Sequence, residues 1–185
     1  MDVALMSAPL ASAFCFALAL VLAQFGLRTI NPITGAMVAL PTTALLFLII
    51  SPKTVQWNEW NGQGAMIFAA VGLVFPIAVT ILTFTSNRLI GPNLTGTLGN
   101  LTPLFAVALA ILLLGETQNN AQWVGIFTIC VGITFLFFNR PIKFGRLALV
   151  ALVLPIVAAM LRGIAQPLVK LGLVEWADPY AAVTI

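Results

Sequence analysis

Residues 65–84 have the sequence AMIFAAVGLVFPIAVTILTF, twenty positions without a charged side chain. An α-helix needs about 20 apolar residues to cross the hydrocarbon core of a bilayer. Further apolar runs occupy residues 4–25, 33–51, 94–114, 121–138 and 147–173, and another begins near Tyr180. Because a segment inside lipid must satisfy its own backbone hydrogen bonds, each run predicts a transmembrane helix.

The composition of the 185 residues supports the same conclusion, since 61% are hydrophobic and only 7% are charged. Soluble domains carry about 25% charged residues on their surface. We therefore predict an all-α membrane protein, a multi-helix bundle in the plasma membrane, specifically the bacterial inner membrane. The net charge of +3 does not indicate nucleic-acid binding, because the basic residues are scattered between apolar runs.

Turn-forming residues separate the runs, at Asn31-Pro32, Ser51-Pro52, Gly91-Pro92, Gly115-Glu116, Asn139 to Pro141 and Asp178-Pro179. The connections are short, which predicts tightly packed helices.

Ala121 and Gly125 have the four-residue spacing of small residues that lets helices approach closely in lipid, so this face is expected to pack on protein. Trp57 and Trp60 lie between two runs, where interfacial aromatic anchors are found.

An internal similarity relates the two ends of the chain. Gln24 and Gln166 are 142 positions apart, as are Arg28 and Lys170, and a proline follows each pair. Five spans separate the copies, so the second copy would enter the membrane inverted, an arrangement typical of secondary transporters. The predicted domains are a complete five-helix repeat at residues 1–140 and the start of an inverted second repeat at 141–185, containing helix 6 and a truncated helix 7. The expected whole is roughly 290 residues.

The region from residue 83 to 132 resembles the EamA-type branch of the drug/metabolite transporter superfamily. The resemblance lies in Thr102-Pro103-Leu104-Phe105, Leu114-Gly115-Glu116, Gln122-Trp123-Val124-Gly125 and Gly132, and in their spacing. It implies ten helices in two inverted repeats around a central cavity, and transport of small metabolites by alternating access. It also implies that Phe84 lines the cavity and that Glu116 ties the short loop before helix 5. Arg162-Gly163 departs from the family, which often has Trp-Gly or Trp-Ala there.

Arg162 is the least expected residue of the apolar runs. At 1.5 Å per residue it lies about 22 Å from Leu147 and about 17 Å from Leu173, so neither helix end is near. An arginine in mid-span costs about 2.5–3.5 kcal/mol even on the lenient insertion scale, which predicts that it faces a cavity or a partner. It would then bind an anionic group of the substrate. The alternatives are snorkelling in a tilted helix and pairing with a carboxylate elsewhere in the protein.

Five further residues are candidate substrate contacts. Gln24 and Gln166 hold equivalent positions in the two proposed repeats and can donate and accept hydrogen bonds. Thr97 and Asn100 share a polar stripe with Asn93, as a cavity wall would require. Phe84 joins them through the family resemblance. Hydrogen bonding between helices is the competing role for the polar residues.

Several function classes are excluded or disfavoured. The chain contains no His, and no Asp lies inside an apolar run, so the residues of intramembrane proteases are missing. Cys15 and Cys130 stand alone, which predicts no metal site, and no cofactor is expected. No ATP-binding loop occurs. The predicted function is therefore a secondary transporter, not an enzyme, whose partners are a small-molecule substrate and the lipid bilayer. The alternative is a non-transporting accessory or assembly subunit of a membrane complex.

Two arguments from the sequence disagree on the orientation of the chain in the membrane. Five basic residues fall on one set of connections, whereas Lys53 and Lys170 fall on the other. The positive-inside rule then places the N-terminus outside. The family resemblance instead implies that both termini lie in the cytoplasm.

Overall fold

The computed structural model describes residues 3–115, 117, 119–138 and 146–185. These residues form seven α-helices: α1 (Val3–Gly26), α2 (Pro32–Thr54), α3 (Gly62–Gly99), α4 (Thr102–Leu114), α5 (Asn120–Phe138), α6 (Arg146–Glu175) and α7 (Pro179–Thr184). A short 3-10 helix, Trp57–Glu59, joins α2 to α3. Within this part of the chain there are no strands, and α1, α2, α3 and α6 are long and apolar enough to cross a membrane. The predicted all-α membrane bundle is confirmed, whereas the repeats stay a prediction.

The turn residues found in the sequence act as helix caps. The Asn31 side chain accepts a hydrogen bond from the Ile33 amide, and Pro32 is the first residue of α2. The Asn61 side chain likewise accepts from the amides of Gln63 at 2.8 Å and Gly64 at 3.3 Å at the start of α3. Such caps satisfy backbone N–H groups that have no partner inside the helix, so these connections can be short.

The chain changes direction inside α3 at Gly91, whose φ of 81° and ψ of 169° are non-helical. Only glycine adopts this region without strain, and Pro92 can begin a new helical segment because it has no N–H to satisfy. The break predicted at Gly91-Pro92 therefore occurs. The Ser86 and Thr95 hydroxyls are hydrogen-bonded across it at 2.8 Å, which holds the two segments together.

The prediction of a single helix over residues 94–114 is wrong. The run is divided, since α3 ends at Gly99 and α4 begins at Thr102. Pro103 lies in the first turn of α4, where its missing N–H costs nothing, whereas inside a continuous helix it would remove a hydrogen bond. At the break between the two helices, the Thr102 hydroxyl donates a hydrogen bond to the Gly99 carbonyl at 2.7 Å.

Helix α6 packs mainly against α3 and α4. Glycine makes this approach possible. A Cβ built on Gly163 would lie 2.5 Å from the Phe105 Cβ of α4, and one on Gly172 would overlap the Phe68 ring of α3. Van der Waals contact between closely spaced backbones is a main source of helix association in lipid.

Helix α5 forms no comparable interface with another helix of the described residues. Ala121 and Gly125 are exposed, and no atom lies within 4 Å of a Cβ built on Gly125. The prediction that this face packs on protein is therefore wrong within the part of the chain described. The turn from Asn139 to Pro141, the boundary between 140 and 141, and Glu116 lie outside the described residues.

Candidate functional site

Helices α2, α3, α6 and α7 surround a cavity of about 700 Å³. This volume lies within the range of about 300–1,000 Å³ that is usual for small-molecule sites. Most of the wall is apolar, with Phe47 from α2 and Phe68 and Phe75 from α3. A cavity of this kind binds apolar parts of a ligand and relies on a few polar groups for orientation.

Four polar side chains reach the cavity wall. Two are threonines whose hydroxyls are already used: Thr43 donates to the Ala39 carbonyl and Thr184 to the Tyr180 carbonyl. The other two are Arg162 and Gln166 of α6, one helical turn apart. Among the described residues, Arg162 is the one charged side chain in the wall.

The Arg162 guanidinium has only neutral neighbours in the described part of the protein. Its Nη2 donates to the Thr83 hydroxyl of α3 at 3.0 Å. Its central carbon lies 5.4 Å from the ring centroid of Phe16 in α1, a cation–π contact. No described carboxylate forms an ion pair with it. The side chain thus extends from the cavity wall to the interface between α1 and α3 with most of its five N–H donors available.

The neighbouring glycine helps to fix the direction of Arg162. Because Gly163 lies directly against Phe105 and Ala106 of α4, the adjacent position on α6 is turned away from this contact. Gly99 lies beside the guanidinium, since a Cβ built there would be in ordinary contact with the Arg162 Nη1, at 3.5 Å. Arg162 therefore provides the charge at this point of α6, and Gly163 provides the close packing beside it.

A second polar group lies between α1 and α3. Asn87 is completely buried, and its Nδ2 donates to the Leu20 carbonyl at 2.9 Å. Its Oδ1 has no hydrogen-bond donor among the described residues, and the same holds for the buried Oε1 of Gln24. Asn87 lies three residues after the apolar run 65–84, and its burial could not be inferred, because the sequence does not show that α3 continues to Gly99 and packs there against α1.

The structure brings together only two of the six predicted contacts. Arg162 and Gln166 share the cavity wall. The four others are elsewhere. Gln24 is half-buried on α1, and Phe84 packs against Gly35 of α2. The Thr97 hydroxyl donates to the Asn93 carbonyl, and Asn100 is exposed at the end of α3. None of these four lines the cavity in this conformation.

The cavity wall adjoins, through Phe68, a cluster of aromatic residues that the sequence did not single out as a group. Phe68 belongs to the cavity wall and also contacts Trp176, with ring centroids 6.2 Å apart. Trp176 is 1% exposed and packs edge-on against Trp60 at 5.2 Å. Trp57 stacks on Trp60 at 6.1 Å, so the two predicted interfacial anchors also form part of this cluster.

Hydrogen bonds join the same two connections. The buried Asp178 carboxylate caps α7 by accepting from the Tyr180 amide, and its other oxygen accepts from the Gln56 amide at 2.7 Å. The Asn61 side chain donates to the Glu175 carbonyl at 3.0 Å. The loop after α2 and the loop after α6 are thereby fastened together.

The family model for EamA-like transporters matches residues 4–138, which include α1 to α5. The match covers well over half of the chain. The chain belongs to the EamA-like transporter family. No curated protein and no solved structure gives a significant match. Membership makes this EamA-like protein a multi-pass integral membrane transporter of the drug/metabolite type, which acts on small molecules within a lipid bilayer.

Proposed function

We propose that this EamA-like protein is a secondary transporter that moves small organic metabolites across the plasma membrane of a bacterium by alternating access. The cavity among α2, α3, α6 and α7 is the proposed substrate site. Its volume suits a metabolite, and its apolar wall carries one cation and one side-chain amide. Arg162 is the anchor and Gln166 the second contact.

The observation that carries this proposal is the neutral surroundings of Arg162. A charge inside a membrane bundle is costly unless it faces a cavity or is paired. Thr83 occupies one donor and Phe16 covers one face, but neither neutralises the charge. A substrate carboxylate or phosphate would supply the counter-ion, and the planar guanidinium matches such groups with two parallel hydrogen bonds. The preferred substrate is therefore anionic.

The proposed inverted repeats receive support from the helix starts. Asn31-Pro32 and Asp178-Pro179 occupy the same positions, a capping side chain followed by proline as the first helical residue. Equivalent starts are expected if α1–α2 and α6–α7 are copies of one unit. Rocking of such copies about a central site is the proposed mechanism of alternating access. Gln24, Thr97, Asn100 and Phe84 are proposed contacts in another conformation of this cycle.

The test is transport by the full chain in proteoliposomes, screened with labelled amino acids, nucleosides and organic acids. For a solute that is transported, Arg162→Gln should lower the flux by about 10- to 150-fold, the equivalent of about 1.5–3 kcal/mol for a charge-assisted contact. Arg162→Lys should be intermediate, because it keeps the charge but loses the planar fork. Arg88→Gln, which removes an exposed charge, is the matched control.

All fluxes are normalised to the protein recovered in the membrane. Unchanged normalised flux in Arg162→Gln would remove Arg162 from the site. Loss of the protein from the membrane would instead indicate that Arg162 is structural. If the wild type moves no solute of the panel, the accessory-subunit alternative gains support.

A further inference from the structure

Two buried side-chain oxygen atoms have no hydrogen-bond donor within the described part of the chain, namely Asn87 Oδ1 of α3 and Gln24 Oε1 of α1. The Asn87 amide cannot be turned around, because the Leu20 carbonyl only accepts and must face Nδ2. Its oxygen therefore points away from Leu20. A buried acceptor without a donor is rare in folded proteins and points to a bound group.

The two residues are close along α1, because Asn87 bonds to the Leu20 carbonyl, one turn before Gln24. Leu20 and Gln24 are one turn apart on α1, and side chains on a helix lean toward its N-terminus. The Gln24 side chain therefore reaches back toward the turn where Asn87 meets the Leu20 carbonyl. The Leu20 side chain itself lies against Gly96 of α3.

This place lies about one helical turn from the Arg162 guanidinium. Arg162 contacts Phe16 and Thr83, each of which is four residues before Leu20 and Asn87 respectively, about 6 Å along the helix axis. A cation is disfavoured beside the two oxygens, because the guanidinium charge is near and no described carboxylate offsets it. The fitting group is a neutral O–H donor.

Resting on the proposed function, in which Arg162 holds an anionic group, we infer that Gln24 and Asn87 form a subsite for a hydroxyl of the same substrate. The substrate class is then a small hydroxylated organic anion. Arg162 lines the cavity and also reaches Thr83, so its side chain connects the cavity to the subsite. Movement of the guanidinium from Thr83 toward a substrate anion gives the hydroxyl access to the two oxygens.

The test compares malate with succinate, which differ by one hydroxyl, as ligands of the purified full chain. Dissociation constants are taken from the dependence of thermal stability on ligand concentration. The wild type should bind malate about tenfold more tightly, as expected for one additional satisfied hydrogen bond. Gln24→Met, which has a similar shape and no acceptor, should bring the ratio close to one. Asn87→Leu is a second variant, whose loss of the Leu20 contact also lowers stability.

Gln63→Met is the control, because it makes the same chemical change at an exposed position and should keep the tenfold ratio. Equal binding of malate and succinate by the wild type would overturn the subsite, as would a preference that survives Gln24→Met. If both anions bind equally but are lost in Arg162→Gln, the subsite alone is wrong and the anion site stands. If neither anion stabilises the wild type, the subsite and the anion site are both contradicted.

Discussion

Replacing Asp178 with Ala should lower the free energy of unfolding by about 2–5 kcal/mol. The carboxylate is 3% exposed and serves both as the cap of α7 and as the bond to the loop after α2. A hydrogen bond to a charged group contributes about 1.5–3 kcal/mol, which applies to the Gln56 amide at 2.7 Å. Loss of an N-cap adds about 0.5–2 kcal/mol.

Asp178→Asn separates the two roles. In this variant the oxygen of the new side-chain amide can still accept from the Tyr180 backbone N–H and cap α7. The amide nitrogen cannot accept from Gln56, because both groups are donors. This variant should therefore lose only the bond between the loops, about 1.5–3 kcal/mol. The expected order of stability is wild type, then Asp178→Asn, then Asp178→Ala.

The assay is equilibrium unfolding of the purified chain in mixed micelles, followed by tryptophan fluorescence. Trp176 is 1% exposed and lies within ring contact of Trp57 and Trp60, so separation of the two loops changes its environment. Glu59→Gln removes an exposed carboxylate from the same region and should leave stability unchanged. Wild-type stability in Asp178→Asn would refute the argument that the Gln56 bond fastens the loops. Equal stability of the two Asp178 variants would refute the contribution of the cap.

Two glycine substitutions test the packing and the kink. Gly163→Ala should lower stability by about 1–3 kcal/mol, because its new methyl group meets Phe105 at 2.5 Å. The control Gly125→Ala places its methyl group in open space and should stay within about 0.5 kcal/mol of wild type. Thermal unfolding compares the two variants, and equal midpoints would contradict the close α4–α6 contact. Gly91→Ala should lower stability by about 1–3 kcal/mol, because alanine is strained at a φ of 81°. Gly62→Ala is the control, since its methyl group meets no other atom. Unchanged stability of Gly91→Ala in the same assay would show that the chain does not take this conformation at the kink.

The sequence alone was enough to predict the membrane class, the long apolar helices and several of their ends. These features depend on residues within a few positions of each other. Twenty apolar residues define a spanning length, an asparagine before a proline caps the next helix, and glycine permits the positive φ at Gly91. Arg162 could also be recognised, because a charge far from both ends of an apolar run is expensive wherever the helix packs. The division of residues 94–114 at Pro103 was missed, although the proline itself was a local signal.

Only the tertiary structure decided which helix faces meet. The Asp178 bond to Gln56 joins residues 122 positions apart, and the burial of Asn87 depends on the Leu20 carbonyl of another helix. The structure likewise placed Asn100 outside the cavity and Trp176 against Phe68 of the cavity wall. In a soluble protein an apolar stripe would mark the inward face of each helix. Here lipid is as apolar as the bundle interior, so composition does not distinguish the two sides, and contact through van der Waals packing and hydrogen bonds makes the choice.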